Sequence, residues 1–489
     1  MADYDLAIIG GGLNGTSLAR DAAGRGLRVI LFEQGDLGGA ASSATSRLIH
    51  GDLSALLRRR FAPVREALSE RNAWLAIAPH LVRPARFAVP FHADERAPWL
   101  LRSAVWLYDR LASKSGLPAS STIDVTHHPI GNALKRPFGT VFEYSDCLVD
   151  DSRLVVLTAV DAAARGAVIR TGARCVRADR SDIWRLAVVD RGRRQTILTR
   201  SLAITAGAWT PIIAETVLRL PWPEASALQM GQIMMRRLFD SDDVYVFQHS
   251  DRRLIFAAPF ERDFTLIGSV VRPFKGDPAI VAMDARDVEY LCEAVNRYLR
   301  EPIVPADVVR TVSGVNLVPH RAGETAARDG VMRFDYRGRR APLIAMVGGD
   351  VTTSRLRAER AVSWLTPFYP MSPRWTATRP LPGGGFAWER FDAEVETARA
   401  RWPFLSDPQA QRLVGAYGKL VANVLGEAKG RHDLGPSFGP ELTGAEVRYL
   451  MAREWARFPD DILWRRSKLG LTMHREDRDA LAAFMANSA

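Results

Sequence analysis

A chain of 489 residues, 47% hydrophobic and 25% charged, has room for two or three domains with sizeable cores, which excludes fibrous and disordered classes. Its net charge of +11 suits anionic lipid or acidic substrates, but the basic residues are dispersed and accompany no recognition motif, which argues against a nucleic-acid binder. Cys147, Cys175 and Cys292 are too few and too scattered for a disulfide framework or a zinc site; they read as buried thiols, and no metal is expected.

Met1 leads directly into a strand-like segment with no secretory pattern, and no stretch reaches the roughly 18 apolar residues of a spanning helix, so a cytoplasmic protein is expected. In chain order, the opening reads as a strand over Tyr4 to Ile9, a glycine turn, a helix from about Gly15 to Arg25 and a strand from Arg28 to Glu33. This β-α-β unit calls for a parallel sheet. Arg58-Arg59-Arg60-Phe61 and Trp99-Leu100-Leu101-Arg102 mix basic and apolar residues as a surface lying on a membrane does. A solvated helix face fits the same residues, so peripheral contact with the inner face of a membrane stays open. From about Ile212 to Val271, alternating runs such as Leu254-Ile255-Phe256-Ala257 predict a second sheet with one covered face, on the substrate side. Between Leu365 and Gly385, five prolines and the run Gly383-Gly384-Gly385 break regular structure and predict a domain boundary. Beyond about Ala387, periodic apolar positions, as in Glu441 to Trp455, predict a helical C-terminal domain.

Gly10, Gly12 and Gly15 form a G-x-G-x-x-G turn between a strand and a helix, the arrangement that lets backbone approach a pyrophosphate at a helix N-terminus. Glu33 ends the next strand, where a carboxylate can bind adenosine ribose hydroxyls. The motif alone leaves FAD and NAD open.

Further motifs bear on that choice. IGGGLNGTSLARDAAGRG (9–26), SSATSRLIHG (42–51), APHLVRPARFAVP (78–90), FEYSDCLVDDSRL (142–154) and DDILWRRSKLGL (460–471) occur in the order and approximate spacing of the FAD-dependent glycerol-3-phosphate dehydrogenase family, which the whole chain resembles. The resemblance implies an α/β fold: a Rossmann-like FAD-binding domain over 1–375 interleaved with an antiparallel substrate sheet (mainly about 80–140 and 212–330), then a helical domain over 376–489. It implies FAD bound by Gly10, Gly12, Asn14, Gly15, Glu33 and Gln34, and by Ser42, Ser43, Ser46, Arg47 and Leu48. Val176, Ala206, Gly207 and Trp209 would add contacts, and Gly349, Asp350, Val351 and Thr352 would reach the flavin ring.

The chain departs from the family around the substrate. Its H-G-G-L-R-Y segment is His50-Gly51-Asp52-Leu53-Ser54-Ala55 here, G-S-H is Gly231-Gln232-Ile233, S-G-V-R-P-L is Ser313-Gly314-Val315-Asn316-Leu317-Val318, and G-G-K-L-T-T-Y-R is Gly348-Gly349-Asp350-Val351-Thr352-Thr353-Ser354-Arg355. Two arginines, a histidine and a lysine thus become Ser54, Asn316, Ile233 and Asp350. Charge-assisted hydrogen bonds contribute about 1.5–3 kcal/mol each, so their joint loss would weaken phosphate binding by about 5–10 kcal/mol if additive. Arg355, His320 and Arg321 are candidate substitutes, and His50 is the candidate proton carrier. The catalytic set read from the sequence is His50, Asp350 and Arg355. Three functions follow: an FAD-dependent dehydrogenase moving hydride from a carbinol carbon to flavin and electrons to a quinone-like acceptor, a flavoenzyme acting on a non-phosphorylated alcohol or amine, or a non-catalytic FAD-binding partner protein. The oligomeric state is left open.

Overall fold

A computed structural model describes residues 2–90, 98–112, 116–125, 128–135, 140–222, 225–251, 253–319, 330–336 and 338–488. Its first sheet is built on the β-α-β opening: β1 (Tyr4–Ile9), α1 (Leu13–Gly24) and β2 (Val29–Glu33). The order is Val331–Asp335, Leu343–Val347, Arg193–Ile204, β1, β2, Val168–Thr171, parallel except at the first pair. Both faces are covered, which explains the uninterrupted apolar runs Leu6–Ile9 and Val29–Phe32, all buried. Ala19, Ala22 and Ala23 keep α1 thin on its buried face. It lies against the helices Asp151–Ala164 and Ser354–Ser363.

The second sheet is assembled from distant segments. β3 (Leu48–Ile49) is followed by α2 (Leu53–Leu57), α3 (Phe61–Ile77), β4 (Val82–Pro90) and α4 (Pro98–Leu111), then β5 (Ser121–Asp124), β6 (Thr140–Val149) and α5 (Asp151–Ala164). The sheet runs Val308–Pro319, Ala225–Arg236, Phe264–Pro273, Leu254–Phe260, Val244–Gln248, β4, β6, β3, with β5 also on β6. It is antiparallel except where Val244–Gln248 meets β4. It reaches further back than the sequence suggests, to Leu48, and starts later in its second half. Residues from Thr210 to Val217 are helical, with Pro211 in the first turn, so the strands begin only at Ala225.

The C-terminal residues form short helices around a separate core that includes Leu413, Tyr417, Leu450 and Ile462. The helix expected over 441–455 spans Gly444–Arg453, because Leu442–Thr443 pairs with Ser437–Phe438 and Thr443 caps the first turn. Buried ion pairs join this core to the rest: Arg153 with Glu454, Arg466 with Asp36, and Lys468 with Asp150. The three cysteines are buried thiols. Among the described residues no helix is long and apolar enough to cross a membrane.

Candidate active site

A cavity of about 2500 Å³ runs between the two sheets from Glu33 and Gln34 to His50, Asn316 and Asp350. At its first end the glycines are required by contact. A Cβ on Gly10, at φ +114°, would stand 2.6 Å from the Thr205 carbonyl oxygen, and one on Gly15 would stand 1.9 Å from the Gly10 oxygen. Gly15 therefore does not line the cavity; it lets α1 close against the turn. Gly12 is the N-cap of α1 and caps it with no side chain, while Leu13 N–H donates to Ser42 Oγ at 3.0 Å. Glu33 accepts from Gly11 N–H at 2.7 Å and Gly35 N–H at 2.8 Å, which fixes its carboxylate at the cavity wall. Asn14 donates to the Gly348 carbonyl at 3.1 Å, tying the start of α1 to the turn at Gly348 and Gly349, both at positive φ.

Ser46, Leu48, Ala206, Gly207, Trp209, Gly349 and Val351 also line this cavity. So does Val176, which a register shift between Cys175 and Arg177 turns inward. Ser43 and Arg47 do not: they line an adjoining cavity of about 440 Å³. Arg47 is drawn there by Asp150 and Asp151, at 3.3 and 3.5 Å, and lies over the Phe260 ring. Thr352 is fully buried behind the wall, accepting from His50 N–H at 3.2 Å through Oγ1 and from Trp74 Nε1 at 2.9 Å through its carbonyl.

At the other end, His50, Asp52, Ser54, Asn316, Asp350 and Thr353 face the cavity. His50 Nδ1 accepts from Asp52 N–H at 3.1 Å. Asp350 Oδ1 accepts from Thr353 N–H at 2.9 Å and from its hydroxyl at 2.6 Å, so the carboxylate closes the turn before Ser354–Ser363. Arg355, expected in the catalytic set, is instead buried away from the cavity. Its guanidinium is held by Glu70 at 2.6 Å and Glu359 at 2.7 Å, because its position on the helix faces α3 and the chain at Thr376. Ile233, set against the family histidine, points to the opposite face of its strand and is buried among residues of the helix Ala285–Asn296. Gln232 occupies the other face and donates to the Thr45 carbonyl at 2.8 Å. Ser354 is also buried, bonded to the Val351 carbonyl. His320 and Arg321 lie outside the described residues.

Asp52 escaped the sequence reading, although its place in a segment where the family has glycine was the available signal. It holds φ +57°, lines the cavity and accepts from Ala55 N–H at 3.1 Å and the Ser54 hydroxyl at 2.5 Å. Among the described residues, the wall made by 50–54, 316 and 348–353 carries two aspartates and no lysine or arginine. Exposed Arg58 donates to Ser54 Oγ at 3.0 Å, and exposed Arg60, Arg174 and Arg253 and half-buried Arg457 and Arg465 also line the cavity.

These features fit a bound dinucleotide: a helix start with glycine at its N-cap, glycines that admit no Cβ, a carboxylate pinned by two amides and a cavity that runs on past them. The family model for FAD dependent oxidoreductases matches residues 5–353, and that for the C-terminal domain of alpha-glycerophosphate oxidase matches 374–487. The chain is 40% identical to a glycerol-3-phosphate dehydrogenase of Pseudomonas aeruginosa over 99% of its length and 95% of that protein's. It is 38% identical to the D-erythritol 1-phosphate dehydrogenase of Brucella abortus, over 99% and 98%. In fold it resembles the glycerol-3-phosphate dehydrogenase of Bacillus halodurans complexed with FAD, with a TM-score of 0.74 at 21% identity over 99% of this chain and 90% of that one. Sheet order, the glycine cradle and a family match over most of the chain agree: the protein belongs to the FAD-dependent oxidoreductase family and carries the glycerophosphate-oxidase type of C-terminal domain.

Proposed function

We propose that this protein is an FAD-dependent dehydrogenase that oxidises a carbinol carbon of a small polyol, with no phosphate held at the wall between His50 and Asp350, and passes the electrons to a quinone-like acceptor. Support for a dehydrogenase of this type comes from relatives named for glycerol 3-phosphate and D-erythritol 1-phosphate. The observation that carries the substrate reading is the wall itself: Asp52 and Asp350 with Ser54 and Asn316, hydroxyl-binding groups that carry no cation of their own, with exposed Arg58 donating to the Ser54 hydroxyl at 3.0 Å. Gly10, Gly12, Asn14 and Glu33 would hold the adenosine diphosphate part of FAD, with Ser42, Ser46, Leu48, Val176, Ala206, Gly207 and Trp209 alongside. Gly349 and Val351 would meet the ring. When bound, FAD supplies the two-electron acceptor.

The protein's own part is to orient the carbinol and manage its proton. Asp52 N–H donates to His50 Nδ1, so the neutral ring carries its proton on Nε2 and meets a substrate oxygen as a donor. His50 thus orients the carbinol oxygen, and the Asp350 carboxylate at the same end of the cavity would take the carbinol proton. A second reading, oxidation of an amine, is favoured by the two carboxylates, since Asp52 has replaced a residue without charge.

Anaerobic flavin bleaching tests the proposal, with glycerol 3-phosphate, erythritol 1-phosphate, neutral polyols and amines as donors and a soluble quinone for reoxidation. A neutral polyol should bleach the flavin and the quinone restore it. Rapid bleaching by either phosphate ester overturns the substrate reading, bleaching by amines alone installs the second one, and silence across the panel favours a non-catalytic FAD protein.

A further inference from the structure

Residues 50–52 are held by their backbone amides, each in a different way. His50 N–H donates to Thr352 Oγ1, Asp52 N–H to His50 Nδ1, and Gly51 N–H to the Tyr108 hydroxyl at 2.6 Å. Tyr108 comes from α4, 57 residues away in sequence. Its hydroxyl donates in turn to Asp146 Oδ2 at 2.6 Å, and Asp146 Oδ1 pairs with Arg71 Nη1 at 2.6 Å. Tyr108 is fully buried, and Asp146 and Arg71 are 1% exposed. Arg71 also donates to the Ser145 carbonyl at 2.8 Å, and Asp146 sits on β6. A Cβ on Gly51 would stand 2.7 Å from the Tyr108 oxygen and 2.6 Å from Leu68, so the backbone touches the tyrosine directly.

The chain Arg71–Asp146–Tyr108 is oriented in one direction. The carboxylate accepts from both neighbours, so the tyrosine must point its proton at Asp146 and its lone pair at Gly51. A buried ion pair is a costly way to hold a backbone amide, and none of these three side chains lines the cavity. What they fix is the peptide between His50 and Asp52, and thereby the N–H that selects the His50 tautomer.

We propose that Tyr108 is a positioning residue for the reaction. Oriented by Asp146 and Arg71, it holds the Gly51 amide so that Asp52 N–H stays on His50 Nδ1 and the ring keeps its proton on Nε2. The assignment rests on His50 acting in the reaction as proposed above. Burial raises the Asp146 carboxyl while Arg71 pulls it back down.

The test uses FAD-loaded enzyme with ¹⁵N-labelled histidine, His50 being assigned by its absence in His50→Gln. Wild type should show the Nε2–H tautomer alone. Tyr108→Phe, which keeps the ring in its packing, should show both tautomers and, on whichever donor bleaches the flavin, lower kcat about tenfold with KM within about twofold. An unchanged His50 spectrum in folded Tyr108→Phe overturns the proposal. Asp146→Asn, which removes the charge that directs the tyrosine proton, should shift the tautomer balance the same way; a spectrum identical to wild type is an equal refutation. A normal rate in His50→Gln refutes the catalytic reading of His50 and leaves the tautomer result to judge the cradle.

Discussion

Single residues divide here into those whose role depends on what they touch and those whose role depends on where they cannot be. Gly15 belongs to the second kind: the space its side chain would need is filled by the Gly10 carbonyl and Thr205 Oγ1, at 1.9 and 2.7 Å. Gly15→Ala must push α1 away from the glycine turn proposed to hold the cofactor phosphates. The purified variant should lack visible flavin absorbance yet keep a helical far-ultraviolet spectrum; full flavin content would show that the turn can yield. Asp350 is of the first kind. A carboxylate in place of lysine invites a role in substrate charge, but Asp350 Oδ1 accepts from both the amide and the hydroxyl of Thr353, so its first task is local.

At the scale of elements, α2, α3 and α4 form one layer over β3, β4 and β6, with α4 packed on α2 and α3. The buried side of α4 delivers Tyr108. Its outer side carries Trp106, 56% exposed, beside exposed Arg102 and Arg110, and the α2–α3 junction adds Phe61, 47% exposed, after Arg58, Arg59 and Arg60. The side chains of Trp99, Leu100 and Leu101, which the sequence reading grouped with Arg102, lie outside the described residues. Two apolar side chains within a basic rim match the chemistry of an anionic lipid surface. The protein should sediment with vesicles containing phosphatidylserine, and Phe61→Glu with Trp106→Glu should abolish this. Equal binding by the double variant would remove the surface from consideration.

In the whole molecule, the C-terminal core docks through buried charge, and His80 lies at that junction. Its ring is 1% exposed, 6.4 Å from the Phe386 ring, with Nε2 within 3.3 Å of where a Gly383 side chain would begin. Burial, then the charges of Arg153 and Arg83, push its pKa down to about 3 from 6.5. Between those values the unfolded chain binds the proton that the folded chain refuses, so stability rises with pH, is complete above pH 6.5, and is lost as pH falls below it. From pH 6.5 to about pH 5 the loss should be about 2 kcal/mol. Denaturant midpoints of wild type and His80→Phe at both pH values check this: the variant should lose less by that amount, and parallel losses would place the acid sensitivity elsewhere.

The local features were legible in the sequence because neighbours along the chain decide them. The β-α-β opening, the glycine turn with Glu33, the break near residue 380 and the helical C-terminal region all follow from periodicity, turn chemistry and spacing, and the colinear family segments identified FAD. Which face a residue presents was decided elsewhere. Arg355 turned to Glu70, 285 residues away; Ile233 fell on the far side of its strand; a register shift aimed Val176 inward; and Arg47 was drawn to Asp150 and Asp151. The cradle that holds His50 joins α3, α4 and β6, and no spacing in the chain announces it. Sequence determines which elements form and where backbone must pass closely, since sterics and local hydrogen bonds set both. Side-chain direction at a site depends on the lowest free energy of packing and charge pairing across segments hundreds of residues apart, and only the folded molecule brings those together.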